Sequence, residues 1–360
     1  MSALTTSITD LLNAQYDESA RSGLAATFYE RMEWLDQMKK KGRVKPGPGT
    51  PHITDQFVYQ APGALIPILV GDEVITPTLK NITKAVKVAP GKMACLIAIP
   101  NRLLTQNANS KLRLMELVKQ YPETMMGAVV KTLNQFTLTA TIPSVGAAVA
   151  SVSDMSNITT LNGAWSSGTE TGVTNGLLDF AATTSQSDTV QDLAKSTTYG
   201  YVNQYQNISS WTADGRRQLI KLYTQCRDKD PNQKGPDLIL MDLETKLNYF
   251  QEMTNRVLLT SPNDKLGDFA VSSLDFEGAK IVQDPCMDRT ASIFSGTAMA
   301  NGFGYMLNTE YLTWYEYLPI SIGKFEPYQG TDYQAAWLAF DGNMLCTRMN
   351  AQGCWSGGAV

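Results

Sequence analysis

From Ile8 to Lys41 apolar positions recur every three to four residues, at Ile8, Leu11 and Leu12 and then at Leu24, Phe28, Met32, Leu35 and Met38. This period predicts an amphipathic amino-terminal helix. Lys39, Lys40 and Lys41 stand where positive charge suits the negative end of a helix dipole, and Gly42 with Lys45-Pro-Gly-Pro-Gly-Thr-Pro51 stops the helix. The pattern then changes. Between residues 53 and 100, β-type runs at Gln56–Gln60, Ala64–Val70, Ile82–Val88 and Met93–Ile99 are separated by Pro62-Gly63, Gly71-Asp72, Pro77 and Pro90-Gly91. They predict an extended β-hairpin or long two-stranded loop. A ribbon of that kind is marginal by itself in water, so it needs a neighbour to rest on.

Helical spacing returns at Asn109–Gln120, with Leu112, Met115 and Val118, and at Pro122–Leu138, with Met126, Val129, Leu133 and Phe136. One long helix, kinked at Tyr121-Pro122, is expected. Residues 139–212 are rich in Thr, Ser, Gly and Asn and carry neither period, which predicts loops and short strands. Asp214–Asp228 predicts a helix with Leu219, Leu222, Tyr223 and Cys226 on one face, closed by Asp230-Pro231 and Gly235-Pro236. Asp237–Met241 reads as a short buried strand and Leu243–Met253 as a helix. From Phe276 the text is β-like, through Gly278–Pro285, Gly304–Asn308 and aromatic-dense segments up to Phe340. The elements are segregated, so the fold class is α+β.

Composition narrows the function. A hydrophobic content of 43% over 360 residues supplies a sizeable core. Thirty Lys and Arg against 34 Asp and Glu give a net charge of −4, which disfavours tight, direct recognition of nucleic acid. Charged residues make up only 18%, leaving neutral surface for subunit contact. Cys95, Cys226, Cys286, Cys346 and Cys354 form an odd set without a C-x-x-C pair, which points to neither disulfides nor zinc but to a reducing cytoplasm. No signal peptide and no membrane span is read in the chain, and no small-molecule substrate is indicated.

The search for chemistry yields no catalytic, cofactor-binding or metal-binding candidates. The single histidine, His52, lies beside Pro51 in the Pro/Gly turn and reads as a solvated loop residue, so histidine triads and His-rich metal sites have no basis. Asp228-Lys-Asp230-Pro-Asn232 imitates the start of a calcium loop, but Gln233 and Ile239 occupy the positions that need Gly and Glu. Two features remain. The basic run Lys39, Lys40, Lys41, Arg43 and Lys45 either docks on acidic surface of a neighbour or is a solvated helix end. The aromatic group from Tyr305 to Phe340 fills a core or builds an interface, since basic residues do not interleave with it densely enough to hold single-stranded bases.

The order arm, β-loop, long helix, central α/β region and closing β-region resembles the major capsid protein family of tailed phages, with its Hong-Kong-97 type fold. Phe276-Glu-Gly-Ala-Lys-Ile-Val-Gln-Asp-Pro285 and Gly304-Tyr-Met-Leu-Asn-Thr-Glu-Tyr-Leu312 look like the strand pairs that close the central domain of such proteins, and the ending Gln352-Gly-Cys-Trp-Ser-Gly-Gly-Ala-Val360 is similar in character. The resemblance implies a helical N-arm at 1–41 and an E-loop at 42–100. It implies a P-domain at 101–140 and 311–347, and an A-domain at 141–310 and 348–360. It further implies assembly of many copies, as pentamers and hexamers, into an icosahedral shell. Portal, scaffold and decoration proteins would be partners, and packaged double-stranded DNA would be contacted without sequence preference. No cofactor and no membrane enters. Leu24, Phe28, Lys39, Lys40, Lys41, Arg43, Lys84 and Lys87 become candidates for contacts between subunits. The subunit would be made in the bacterial cytoplasm and end in the virion. An encapsulin-type compartment shares these expectations, and the Thr/Ser/Asn-rich middle admits a β-rich adhesin or surface-layer protein, against which the absent signal peptide and the five cysteines argue. An enzyme with an unrecognised site is the third alternative.

Overall fold

The computed structural model describes residues 32–58, 83–107, 111–139, 159–162, 176–180, 182–186, 189–197, 200–256, 275–284, 287 and 302–357. Helix α1 (Glu33–Lys40) is the described end of the expected amino-terminal helix, with Glu33 and Asp36 in its first turn and Lys39 and Lys40 in its last, as the helix dipole favours. Gly42 then takes φ +68°, a left-handed turn that costs a residue without Cβ little. Met32, Leu35 and Met38 are at most 1% exposed and belong to the chain's own core. In the described part, therefore, the apolar stripe is internal packing; Leu24 and Phe28 lie outside the described residues.

Strands β1 (Val44–Pro46), β2 (Ile53–Val58), β3 (Thr83–Val88) and β4 (Gly91–Pro100) follow, then helices α2 (Asn101–Asn107) and α3 (Lys111–Thr139). Short strands β5 (Thr160–Asn162), β6 (Gly176–Leu178), β7 (Thr189–Val190) and β8 (Leu193–Ala194) fall in the stretch without period. After β9 (Gln204–Ile208) come α4 (Arg216–Lys229), β10 (Leu238–Met241), α5 (Leu243–Arg256), β11 (Asp275–Phe276), β12 (Ala279–Gln283) and β13 (Phe303–Leu307). The chain closes with β14 (Leu312–Ile322), β15 (Glu326–Pro327), β16 (Tyr333–Cys346) and β17 (Gly353–Gly357).

β2 and β3 form the expected antiparallel hairpin, from Ile53 opposite Val88 to Val58 opposite Thr83. The run Met93–Ile99 does not prolong it. As β4 it pairs antiparallel with β16, from Pro100 opposite Tyr333 to Gly91 opposite Gly342. The reason is burial: Met93, Cys95, Ile97 and Ile99 alternate into a core that a free two-stranded loop lacks. β16 also pairs with β14, and β1 adds to β14 in parallel. The β14 ladder shifts register between Leu318 and Ser321, around Pro319, which has no N–H to give it. Helix α3 packs on this sheet and runs about 44 Å as one element. Pro122 does not end it, and α2 precedes it where the periodicity had placed no helix. From Thr132 to Leu138 every side chain is buried, so tertiary packing outweighs the loss of one backbone bond at the proline.

The second sheet has the order β11-β12-β10-β13-β17-β9 and is mixed, with β10 parallel to β12, antiparallel to β13, and β17 parallel to β9. All residues of β10, β13 and β17 are buried, as in strands covered on both faces. Ile239, Met241, Met306 and Trp355 pack in a cluster with Leu219, Leu222 and Cys226 of α4. The alternate residues Leu238, Leu240, Phe303, Tyr305 and Leu307 join the larger core shared with α1, α3 and the first sheet. Gly304 lies flat against the Trp355 ring: a Cβ there would sit 2.1 Å from the indole and 2.6 Å from the Leu240 carbonyl oxygen. Gly304→Ala is expected to cost at least about 1–3 kcal/mol through overpacking of rigid neighbours, read as a lower midpoint in urea unfolding; an unchanged midpoint would mean the sheet yields at Trp355.

Candidate assembly surfaces and the junction between the two sheets

The chain passes from the six-stranded sheet to the β14–β16–β4 sheet after β13, through the 3-10 turn Thr309–Tyr311, and returns after β16 through the turn Met349–Ala351. These two crossings are bonded to each other. The Asn308 N–H donates to Gln352 Oε1 at 2.8 Å, and Gln352 Nε2 donates to the Asn308 carbonyl at 3.0 Å, both side chains being buried. The Thr347 N–H donates to the Tyr311 carbonyl at 2.9 Å. Paired, satisfied buried amides leave the crossings little freedom to rotate against each other.

Asp230 anchors this junction. Its Oδ1 accepts from the Asn232 N–H (2.9 Å) and the Tyr311 hydroxyl (2.7 Å). Its Oδ2 accepts from the N–H groups of Lys234 (3.2 Å) and Gly235 (3.3 Å) and from Asn308 Nδ2 (3.1 Å). Burial by itself would push this carboxyl up, but the Tyr311 hydroxyl and the three backbone donors outweigh it and hold the carboxyl below its ordinary range. Burial, and then the bond to Asp230, pushes the Tyr311 hydroxyl up. The Arg348 guanidinium stacks 5.6 Å from the Tyr311 ring centre and donates to the Lys229 carbonyl at 3.0 Å. The segment that mimics the start of a calcium loop thus spends its carboxylate on its own backbone and on the crossing.

A second set of contacts fixes α1. Trp34 Nε1 donates to Asn134 Oδ1 of α3 at 2.8 Å, and Asn134 Nδ2 donates to both oxygens of Asp284 beyond β12, at 3.0 and 2.9 Å. All three residues are buried. The Tyr305 hydroxyl donates to the Leu138 carbonyl in the last turn of α3 at 2.6 Å, satisfying an acceptor that the helix end leaves open. Lys41 Nζ reaches Asp237 Oδ2 at 2.8 Å, where Thr309 donates its N–H to Oδ1 (2.8 Å) and its hydroxyl to Oδ2 (2.6 Å).

The sequence-derived contact candidates divide accordingly. Lys40 pairs with Asp36 one turn back, and Lys41 with Asp237, both within the chain. Lys39 is exposed, and Arg43 is half-buried with its carbonyl accepting the Trp314 N–H at 2.9 Å. Lys84 and Lys87 stand exposed on β3. Sequence reading missed Asn134, Asp284, Asn308 and Gln352, which lie far apart in the chain and match no motif. Asp230 carried a signal, a Pro- and Gly-punctuated turn with an acid at its start.

Cys95, Cys226, Cys346 and Cys354 are free and buried. Burial pushes all four thiols up, Cys346 to about 12, so these groups are poor nucleophiles. Among the described residues no group of three or more His, Cys, Asp or Glu is placed to hold a metal ion, and no helix is long and apolar enough to cross a membrane. His52 is half-buried at the start of the hairpin. Asp179 and Lys195 form an ion pair at 2.7 Å with side chains 3% and 0% exposed.

No family model and no curated protein matches the sequence. Among solved structures, the chain is similar to a protein of the cyanophage A-1(L) capsid asymmetric unit, at 13% identity and TM-score 0.54 over 87% of this chain and 89% of that one. It is similar to a protein of the capsid of a native gene transfer agent (GTA) particle, at 10% identity and TM-score 0.53 over 89% and 90%. A protein of Mycobacterium phage Bobi aligns at 12% identity and TM-score 0.50 over 89% and 90%. At these identities the likeness is one of fold, and it follows the path of nearly the whole chain.

Proposed function

We propose that this chain, which has the Hong-Kong-97 type capsid fold, is the subunit that self-assembles into the icosahedral head shell around the double-stranded DNA genome of a tailed phage. The observation that carries this reading is the shared path with two capsid proteins at TM-scores of 0.54 and 0.53. On this reading residues 1–41 are the N-arm and 42–100 the E-loop, except that β4 goes with the P-domain because it pairs with β16. Helix α3 and the β14–β16 hairpin form the P-domain (101–140 and 311–347), and the six-stranded sheet with α4 and α5 forms the A-domain (141–310 and 348–360).

The role is structural. A shell subunit needs a fixed angle between its two domains, because a small error repeated over many copies prevents closure; the laced crossings at Asn308, Tyr311 and Gln352 supply that rigidity. Pentamers and hexamers of this chain, with portal, scaffold and decoration proteins, make up its partners, and a net charge of −4 suits a wall that contains DNA without gripping it. Its place is the virion. The phage and GTA likenesses favour this over an encapsulin-type compartment.

Electron microscopy of the purified protein, alone and with its neighbouring genes expressed, tests the reading: closed shells are expected, and a strict monomer under both conditions would sink it. Replacing residues 56–85 by a short linker keeps buried Ile53, Val86 and Val88 in place. That variant is expected to remain folded by circular dichroism and to form no shells; intact shells would remove the E-loop assignment.

A further inference from the structure

We infer that Gln191 sets the direction of the β2–β3 hairpin, the β7–β8 turn being a latch that ties the foot of the hairpin to β16. The inference concerns contacts inside one copy of the chain and stands apart from the shell reading. β3 runs into β4 through Ala89 and Pro90 alone, so the contacts at that step decide where the ribbon points. Direction matters because a two-stranded ribbon needs a neighbour to rest on.

The turn that makes the contact is strained. Thr189 pairs with Ala194 and Val190 with Leu193, which leaves Gln191 and Asp192 as a two-residue turn with φ of 54° and 62°. Both lie in the left-handed region, where turns of this length usually place Asn or Gly. Such a backbone persists where its surroundings hold it, and the Gln191 side chain, 2% exposed, shows how it is held. In the orientation that satisfies both ends of its amide, Nε2 donates to the Cys346 carbonyl and Oε1 accepts the Cys346 N–H, both at 2.9 Å. Nε2 also donates to the Tyr201 hydroxyl at 3.2 Å. β4 leaves β16 at Gly342, so the amide stands in for a strand on the edge beyond it.

From this anchored turn the main chain reaches the hairpin. The Lys87 N–H donates to the Gln191 carbonyl at 3.0 Å. Lys87 stands opposite Thr54, and its N–H leaves the ribbon on the outer edge of β3, which would otherwise be open to water. The same foot has a second tie, from Nδ2 of buried Asn343 to the Ala89 carbonyl at 2.6 Å. At the other foot the Tyr317 hydroxyl donates to the Thr50 carbonyl at 2.9 Å, in an exposed position where water competes for both groups. The buried foot therefore carries the orientation, and Gln191 joins the three strands concerned, β3, β7 and β16.

Amide hydrogen exchange read residue by residue is the first test. In the wild type the Lys87 N–H is expected to exchange slowly; exchange at the rate of an exposed amide overturns the inference. Gln191→Gly suits the left-handed turn but has no side chain, and protection of Lys87 is expected to fall on the order of tenfold, about the worth of one net hydrogen bond. Gln191→Asn also suits the turn and is one methylene shorter than the bonds to Cys346 need; it carries the same expectation, so the test survives if one variant does not fold. Nitroxides on keto amino acids at exposed Gln56 and Lys221, with labelled chains diluted in unlabelled ones, then report the direction of the hairpin. A broader or shifted distance distribution is expected in the folded variants at 191. Asp192→Gly relaxes the same turn and leaves the amide in place, so it is expected to match the wild type. Variants at 191 that keep wild-type protection and distances overturn the inference, as does an Asp192→Gly variant that loosens the hairpin as much as they do.

Discussion

Lys195→Met lowers the free energy of unfolding by roughly 3–5 kcal/mol, because it leaves the Asp179 carboxylate buried without its cation. The pair is 2.7 Å apart, with side chains 0% and 3% exposed, so solvent cannot substitute for the missing ammonium. The surroundings are already committed: the Asp179 carbonyl accepts from Asn203 Nδ2 at 3.0 Å and from Cys354 Sγ at 3.2 Å, and the Asp179 N–H donates to Asn203 Oδ1 at 2.8 Å. The double variant Asp179→Leu, Lys195→Met removes both charges and is expected to recover most of the loss, since an apolar replacement of a buried pair is often neutral. Urea unfolding of the four proteins in the cycle measures the coupling. Additive losses in the double variant would show that the side chains act independently through their packing.

Asp230→Ala has the second largest effect expected. It strands five donors at once, the N–H groups of Asn232, Lys234 and Gly235, Asn308 Nδ2 and the Tyr311 hydroxyl. An unsatisfied buried polar group costs about 1–3 kcal/mol. Asn232 and Lys234 are exposed, so water can reach their N–H groups, while Gly235 is buried; this holds the expected total to roughly 3–5 kcal/mol. The effect carries a pH signature. The folded carboxyl lies below its ordinary value, so its contribution is fully present above the unfolded value of about 4 and is lost as pH falls through the lower folded value. The stability gap between wild type and Asp230→Ala is therefore constant from pH 7 to about 5 and narrows below about pH 4. Thermal melts across that range check it; a gap that stays constant down to the acid transition would remove Asp230 as the titrating anchor.

Helices α1, α4 and α5 and strands β2, β3, β10, β12 and β13 were legible in the chain because each satisfies a local rule: a period of 3.6 or 2, an end marked by Gly or Pro, a dipole-matched charge. The resemblance to the Hong-Kong-97 type came from the order of those elements, and the fold agrees with it. The long helix α3 was expected as one helix across Pro122 and is one, whereas the short helix α2 before it was not legible. The stretch 139–212 read as featureless, yet it holds Asp179, Lys195 and Asn203, a buried charge site whose members no periodicity marks.

Some candidates changed meaning once partners were visible. Lys41 read as a cation free for a neighbour; the fold gives it Asp237, 196 positions away. Met32, Leu35 and Met38 read as the apolar stripe of an amphipathic helix, and that stripe is core. The aromatic group read as one set and divides in two, with Tyr305, Trp314, Phe325 and Phe340 buried and Tyr328, Tyr333 and Trp337 in solvent. The dividing fact is the pairing of β4 with β16, which gives the sheet an inner face and an outer one.

By itself the sequence determined the fold class, the order of most elements and the absence of familiar catalytic motifs, because these follow from local periodicity, turn chemistry and residue type. Only the tertiary structure decided which strand pairs with β16, which carboxylates are spent inside the chain, how the two crossings are laced, and which aromatics remain exposed. Those outcomes depend on which distant side chains exclude water from one another, and burial is a property of the packed chain rather than of any segment in it.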